Sequence, residues 1–300
     1  MIRVIIVGFG NIGKAVYEAI TAAPDFILAG IVEPNASANI PNEMEKDKII
    51  ADISQLDKFG KIDVAIICTP SRSVPEYAPK YLSKGINTVD SYDIHSSIWE
   101  VKTELDKCAK DNNAVAVLSS GFDPGADSVI RALFEVMAPK GITYINFGPG
   151  MSMGHTVAVK AIDGVKNALS MTIPTGAGVH RRMVYVELKD GYDFEKVAEN
   201  IKKDPYFAKD ETHIIEEKDI TSIIDVGHGV NMTRKGVSGT THNQNFEFNM
   251  KIHNPALTGQ VLLSSARAAV KQKPGCYTTI EIPPIDFLYG DKEDIIRRLV

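Results

Sequence analysis

The glycine pattern after the first apolar run constrains the fold more than any other feature of the sequence. Residues 4–7 are β-branched and apolar, as in a buried strand, and Gly8-Phe9-Gly10-Asn11-Ile12-Gly13 follows them directly. In such a turn the first glycine permits a tight bend, the second lets a pyrophosphate approach the backbone, and the third lets helix and strand pack closely. Free N–H groups at the helix N-terminus then face the anion. We therefore predict a dinucleotide site at Gly8, Gly10, Asn11, Ile12 and Gly13.

The first 120 residues alternate strand and helix patterns, which is typical of a doubly wound parallel sheet. The pattern predicts strands at residues 3–7, 27–32, 63–68, 88–89 and 114–118, and helices at 11–22, 76–83 and 98–110. A chain of 300 residues has room for two domains at about 150 residues each.

The sequence changes character at the turn Gly121-Phe122-Asp123-Pro124-Gly125, where we place the domain boundary. A helix at residues 126–137 and alternating strands at 143–147, 182–188 and 245–252 predict a second, α+β domain. The Ala- and Leu-rich segment 256–272 predicts a helix that packs back onto the first domain.

Composition and charge favour small-molecule chemistry. Lys and Arg number 33 against 38 Asp and Glu, so the formal charge is −5, and this argues against nucleic acid or an anionic membrane as a partner. We expect no membrane span and no secretory signal, because apolar runs are short and no charged leader is visible. The three cysteines are scattered without metal spacing, so we predict reduced thiols, no bound metal and a cytoplasmic location.

Glu33 lies twenty residues after Gly13, where an acidic side chain can hold a ribose 2′-hydroxyl. A 2′-phosphate would face this carboxylate, and one charge pair at 4 Å costs about 4 kcal/mol at an effective dielectric constant of 20. Glu33 thus favours NAD over NADP, unless its side chain turns outward and Arg72 steers a phosphate. The turn Cys68-Thr69-Pro70-Ser71 follows the next strand and is predicted to border the other half of the cofactor.

Polar residues follow two further strand ends, in the segment Asp90-Ser91-Tyr92-Asp93 and at Asp123. Ligands of open α/β sheets bind outside these ends, so the carboxylates of Asp93 and Asp123 are predicted to meet a substrate ammonium. The alternative for each aspartate is a helix cap or an Asx-turn. In the second domain Arg182 offers a bidentate carboxylate fork, with Thr172 and His228 as further donors. Each of these residues could instead serve the fold, and His95, His155, His180 and His242 are interpreted as structural.

Several strings together resemble the meso-diaminopimelate dehydrogenase family, in its compact subgroup without an insertion in the substrate domain. Besides the glycine pattern and the 121–125 turn, they are Arg72-Ser73-Val74-Pro75-Glu76, Val89-Asp90-Ser91-Tyr92-Asp93, Asn146-Phe147-Gly148-Pro149-Gly150, Met151-Ser152-Met153-Gly154-His155, Ala168-Leu169-Ser170-Met171-Thr172-Ile173-Pro174 and Lys273-Pro274-Gly275-Cys276-Tyr277. They span almost the whole chain in order.

The resemblance implies reversible oxidative deamination of the D-centre of meso-2,6-diaminopimelate, giving L-2-amino-6-oxopimelate and ammonia. It implies a Rossmann-type domain at residues 1–120 completed by about 255–300, and a substrate-binding and dimerisation domain at 121–254, in a homodimer. By the family pattern Asp93 and Asp123 hold the reacting amino group. The rest of the pocket would comprise Phe122, Phe147, Met153, Gly154, Thr172, Arg182, His228 and Asn254, and the cofactor would also meet Asp90 and Tyr92.

The sequence departs from the family at two positions. Glu33 and Pro34 stand where the family usually carries basic residues and uses NADP, so both cofactors stay open, with NAD favoured by charge. Phe122 replaces the Trp of the family's GWDPG turn, and the loss of volume leads us to consider use of other D-amino acids. The alternatives are a related D-amino acid or diamino acid dehydrogenase, a regulatory protein without catalysis, and an unrelated dehydrogenase that shares only the first domain.

Overall fold

The computed structural model describes residues 1–34, 48–224 and 227–300. In chain order its strands and α-helices are β1 (Ile2–Val7), α1 (Asn11–Ala22), β2 (Phe26–Val32), β3 (Ile49–Ile50), β4 (Val64–Ile67), α2 (Val74–Leu82), β5 (Asn87–Asp90), α3 (Ile98–Asp111), β6 (Val115–Val117), α4 (Ala126–Met137), β7 (Lys140–Phe147), β8 (Gly150–Met151), α5 (Met153–Lys160), β9 (Val165–Gly176), β10 (Val179–Leu188), α6 (Phe194–Lys203), β11 (Glu211–Glu216), β12 (Gly227–Ser238), β13 (Thr241–His253), α7 (Asn254–Ala269), β14 (Gly275–Tyr277) and α8 (Lys292–Leu299).

Backbone contacts divide the chain into two units, residues 1–132 with 255–300, and residues 133–254. The division falls within α4, whereas the sequence placed the boundary at the 121–125 turn. Each unit has its own sheet or sheets and its own apolar core.

The first unit is a doubly wound parallel sheet, as the alternation of strands and helices predicts. Its strand order is β14-β6-β5-β4-β1-β2-β3, and every neighbouring pair is parallel. Successive side chains of a strand point to opposite faces. Ile5 therefore packs with Tyr81 of α2 on one face, while Ile6 packs with Leu262 of α7 on the other.

Helix α7 and strand β14 complete this unit from the far end of the chain. A Cβ on Gly259 would lie 2.8 Å from the backbone carbon of Ala15, so α7 crosses α1 at close range. The Arg267 guanidinium holds both carboxylate oxygens of Asp25, at 2.6 and 3.0 Å. The predicted return of the helix at 256–272 is thus present, and it begins two residues earlier and ends at Ala269.

The second unit combines two small sheets. One has the order β11-β10-β9-β8, with β10 and β11 parallel and its other pairs antiparallel. The second is an antiparallel sheet of order β13-β12-β7. Val184 of β10 packs against α5 and α6 through Val159 and Ile201. No helix within the described ranges is long and apolar enough to cross a membrane.

Candidate active site

The turn between β1 and α1 has the geometry that the glycine pattern predicts. Gly8 has a φ of +90°, a conformation that glycine adopts without strain, and its N–H donates to the Val32 carbonyl at 2.9 Å. A Cβ on Gly13 would lie 2.2 Å from the Gly8 carbonyl oxygen. The fold itself therefore requires both glycines.

Gly10 differs, because nothing in its own surroundings requires a glycine. Its φ is −76°, and a Cβ there would meet no described atom within 4 Å. It caps α1, whose N-terminus has no side-chain cap and no acidic residue in its first turn. Open backbone beside uncapped helix N–H groups is what a dinucleotide pyrophosphate needs, so this turn fits NAD(P).

Glu33 points toward this turn. Its Oε2 accepts a hydrogen bond from the Phe9 N–H at 2.7 Å, so the carboxylate is not turned outward. The turn after β4 lies against the same glycines, because a Cβ on Gly8 would be 3.3 Å from the Thr69 methyl group. Burial raises the pKa of the Cys68 thiol, so Cys68 lines this region as a neutral thiol. Pro70 and Ser71 continue the turn, and Ser71 Oγ accepts from the Asp93 N–H at 3.3 Å.

Asp90 and Tyr92 lie beneath this surface, with both side chains buried. Asp90 Oδ1 accepts from the N–H groups of Tyr92 and Ser119, at 2.9 and 3.1 Å, and burial raises the pKa of this carboxyl to about 6. Asp90 thereby ties the end of β5 to the end of β6. Contact of these two residues with the cofactor stays a prediction, and Tyr92 keeps 3% of its surface exposed while Asp90 has none.

The 121–125 turn brings Asp123 into a cluster of charges. Arg131 Nη2 lies 3.3 Å from Asp123 Oδ1. Burial is the main cause that raises the pKa of Asp123 above its usual value, and the charge of Asp93 adds to the rise. A hydrogen bond with Asp127 and the charge of Arg131 oppose it. The charge of Asp93 therefore acts on Asp123, whereas their role at a substrate ammonium stays a prediction, and Phe122, next to Asp123 in the chain, is buried.

In the second unit the arginine fork is held by a residue that sequence reasoning missed. Arg182 on β10 pairs in register with Thr172 on β9, and its Nη1 donates to the Thr172 hydroxyl. Its Nε donates to Asp210 Oδ2 at 2.6 Å. Asp210 follows α6 in a turn, and no local pattern marks it.

Three histidines, His155, His180 and His228, belong to the same unit as Arg182. His180 Nε2 accepts from the Phe147 N–H at 2.8 Å, and the Phe147 ring centroid is 5.6 Å from His180 and 6.3 Å from the buried His228. His155 shares a hydrogen bond of 2.7 Å with the Ser152 hydroxyl. Burial, aided by the Arg182 charge, lowers the pKa of His155 to about 3, so this ring is neutral.

The remaining predicted residues begin helices. Met153 and Gly154 form the first turn of α5, and Asn254, which is buried, opens α7. Across the described ranges no group of three or more His, Cys, Asp or Glu side chains is placed to hold a metal ion.

Comparison with known proteins gives matches along the whole chain. Residues 2–119 match the oxidoreductase family with an NAD-binding Rossmann fold, and residues 121–179 match the diaminopimelic acid dehydrogenase C-terminal domain. The meso-diaminopimelate D-dehydrogenase of Bacteroides fragilis is 60% identical over 100% of this chain and 99% of its own. That of Corynebacterium glutamicum is 30% identical over 99% of this chain and 98% of its own.

Solved structures agree with these relatives. The structure of C. glutamicum DAP dehydrogenase in complex with DAP superposes with a TM-score of 0.89 at 29% identity, over 100% of this chain and 99% of that one. An engineered D-amino acid dehydrogenase bound to NADP+ gives 0.88 at 27% identity, with the same coverage.

Proposed function

The chain belongs to the meso-diaminopimelate D-dehydrogenase family, and on that premise we propose that it deaminates the D-centre of meso-2,6-diaminopimelate reversibly, with NAD(P), to L-2-amino-6-oxopimelate and ammonia. The observation that carries the proposal is that the charge of Asp93 acts on the largely buried Asp123, in a unit whose Gly10 turn is open for a dinucleotide. The product is a precursor of lysine and peptidoglycan, so we place the reaction in that metabolism.

The carboxylates act on the reacting amino group. The amine must lose a proton before the C–H bond breaks, because the nitrogen lone pair forms the iminium as the hydride departs. Asp93 and Asp123 hold the ammonium, and one of them accepts this proton, as a positioned general base does. The bound nicotinamide cofactor supplies the hydride acceptor. Water then hydrolyses the iminium. This end of the pocket is shaped by Phe122, Phe147, Met153 and Gly154.

The distal L-amino acid end is held by a different set of groups. Arg182 receives the carboxylate beside Thr172, while Asp210 fixes the plane of the guanidinium. His228 and Asn254 complete the grip. Because one end of the substrate meets carboxylates and the other meets an arginine, only one orientation places the D-centre for reaction.

We further propose that NAD is preferred to NADP. Glu33 supports this preference because its carboxylate faces the glycine turn, where a 2′-phosphate would meet its charge. Asn11 and Ile12 lie in the first turn of α1, whose uncapped N–H groups would face the pyrophosphate of either cofactor.

We also propose a cytoplasmic homodimer in which the second unit provides the interface. Ile142 and Tyr144 of β7 support it, because both are large apolar side chains exposed on the three-stranded sheet. Sedimentation equilibrium tests this assembly, and a monomer at micromolar concentration would contradict it.

The reaction is tested with purified protein and meso-diaminopimelate at alkaline pH, by following the absorbance of the reduced cofactor with NAD and NADP side by side. LL-diaminopimelate is the stereochemical control. D-lysine and D-alanine test the hypothesis that Phe122, in place of the family's Trp, widens the substrate range. We expect turnover of the meso isomer only, and faster with NAD. Turnover of D-alanine but not of the meso isomer would favour a general D-amino acid dehydrogenase.

A further inference from the structure

A second buried carboxyl group lies behind Asp123 and has no place in the mechanism above. Asp127 is on the first turn of α4, its side chain is fully buried, and its N–H donates to the Phe122 carbonyl at 3.1 Å. It therefore lies directly behind the turn that presents Asp123, without a surface on which to touch substrate.

One guanidinium serves both carboxyl groups. Arg131 Nη2 donates to Asp123 Oδ1 and to Ser128 Oγ, each at 3.3 Å. It also lies 2.9 Å from Asp127 Oδ2, yet this oxygen receives no well-directed hydrogen bond from the described residues. The one donor to Asp127 that the structure shows is Ser128 Oγ, at 3.3 Å from Oδ1.

The local charge is unbalanced when all the carboxyl groups are ionised. Asp93, Asp123 and Asp127 would carry three negative charges, and Arg131 is the positive charge that acts on both Asp123 and Asp127 within the described part of the chain. Buried like charges disfavour joint ionisation, so a proton is retained. Burial, with the neighbouring charge of Asp123, raises the pKa of Asp127 to about 8 although Arg131 opposes the rise. A hydrogen bond that protonated Asp127 donates to the Asp123 carboxylate contributes to the rise.

We propose that Asp127 is a positioning residue that holds a proton against Asp123, so that the two groups act as one carboxyl pair toward the substrate amine. The proposal rests on the proposed function. While the pair holds its proton on Asp127, Asp123 stays ionised and binds the ammonium. Once the pair has released that proton to solvent, an ammonium N–H bond breaks, an O–H bond forms on Asp123, and the nitrogen keeps the electron pair.

The kinetic test compares Asp127→Asn with wild type. The Asn side chain keeps the size and neutrality of the protonated carboxyl, but it has no proton to release. The matched control is Glu293→Gln, because Glu293 also pairs with an arginine one turn later, Arg297 at 2.7 Å, but on the exposed surface of α8.

We expect wild type and Glu293→Gln to show a rise of the deamination kcat as the pH passes about 8. Asp127→Asn should lose that rise while its KM for meso-diaminopimelate at pH 7 stays within about twofold of wild type. A kcat lowered by one factor at every pH, with the rise intact, would overturn the proposal and leave Asp127 a structural role.

A second measurement uses wild-type protein without substrate, so it does not depend on whether the variant folds. Infrared spectroscopy of wild-type protein should show the C=O stretch of a protonated carboxyl at pH 7 that disappears as the pH is raised through about 8. No such band at pH 7 would overturn the inference even in an active enzyme. A titrating band in a protein that does not turn over meso-diaminopimelate would support the carboxyl pair and contradict the proposed function alone.

Discussion

Two adjacent arginines on β10 show how strand alternation separates a proposed substrate-binding group from a surface ion pair. Neighbouring side chains of a strand point to opposite faces. Arg181 is exposed and pairs with Glu211 at 2.8 Å, whereas Arg182 is largely buried and pairs with Asp210 and Thr172. The two positions share residue type and strand, so they form a natural comparison.

Arg182→Lys should lower kcat/KM for meso-diaminopimelate by about 10- to 100-fold, because charge-assisted hydrogen bonds contribute about 1.5–3 kcal/mol and lysine cannot form the fork. Arg181→Lys is the control and should leave the steady-state constants unchanged. Equal losses in both variants would remove Arg182 from the substrate site.

Glu33→Gln tests the origin of cofactor preference. Glutamine keeps an acceptor for the Phe9 N–H but removes the charge that opposes a 2′-phosphate. The ratio of kcat/KM for NAD over NADP should therefore fall by at least about tenfold. The free energy that corresponds to this change is smaller than the charge-pair energy of about 4 kcal/mol. An unchanged ratio, with both cofactors still used, would show that Glu33 does not face the ribose.

Local sequence could single out Arg182 and Thr172, but not Asp210, which also holds the guanidinium. Asp210 is 28 positions away in a turn, and His180, which receives the Phe147 N–H, is 33 positions from its partner. Such contacts depend on which strands pair and in which register. The interpretation of His180 as structural is made by default, and the sequence near it does not indicate the bond from the Phe147 N–H.

At the scale of elements, the turn between β1 and α1 contains one glycine that the fold needs, Gly13, and one that we propose a cofactor needs, Gly10. Gly13→Ala should destabilise the protein by about 1–3 kcal/mol, because its Cβ meets the Gly8 carbonyl at 2.2 Å. Gly10→Ala should change stability by less than about 1 kcal/mol, since Gly10 has open space and an ordinary φ.

Isothermal titration with NAD and NADP completes this comparison. Gly10→Ala should weaken cofactor binding by at least about tenfold while its thermal unfolding matches wild type. Unaltered affinity for both cofactors in a folded Gly10→Ala variant would show that the pyrophosphate lies elsewhere.

Strands with apolar alternation could be predicted, while those with buried polar residues could not. Strand β12 turns His228 and Arg234 inward together with the apolar Met232, and the two polar residues hide its period. Arg234 is buried because its Nε donates to the Ala138 carbonyl at 2.7 Å and its Nη1 to Thr143 at 2.8 Å. Ala138 directly follows α4 and Thr143 is on β7, so tertiary contacts specify this strand.

At the scale of the whole molecule, both ends of the chain build the first unit. Asp25 and Arg267 are 242 positions apart and form a bidentate pair, and β14 adds to the sheet beside β6. The apolar face of α7 predicts that this helix packs back onto the first unit. The sequence does not indicate that Arg267 pairs with Asp25 or that β14 pairs with β6. The unit is therefore complete only after nearly all of the chain is in place.

The pH dependence of stability tests the buried carboxyl without reference to catalysis. The pKa of Asp127 is raised from 3.8 to about 8, so between these values the folded state binds more protons at this group than the unfolded state. This contribution to stability is fully present below about pH 4 and is lost as the pH rises through about 8. The side chain in Asp127→Asn does not titrate, so the variant lacks this pH-dependent contribution.

The free energy of unfolding of Asp127→Asn minus that of wild type should thus be near zero at pH 4. This difference should rise by on the order of 1 kcal/mol per pH unit toward pH 8. Urea unfolding at pH 4, 6 and 8 measures the difference. Asp90, whose pKa of about 6 also costs stability as the pH rises, is present in both proteins and cancels. Glu293→Gln should follow wild type throughout. A difference that is constant with pH would mean that Asp127 is ionised in the folded protein, and Arg131 would then have to balance both carboxylates.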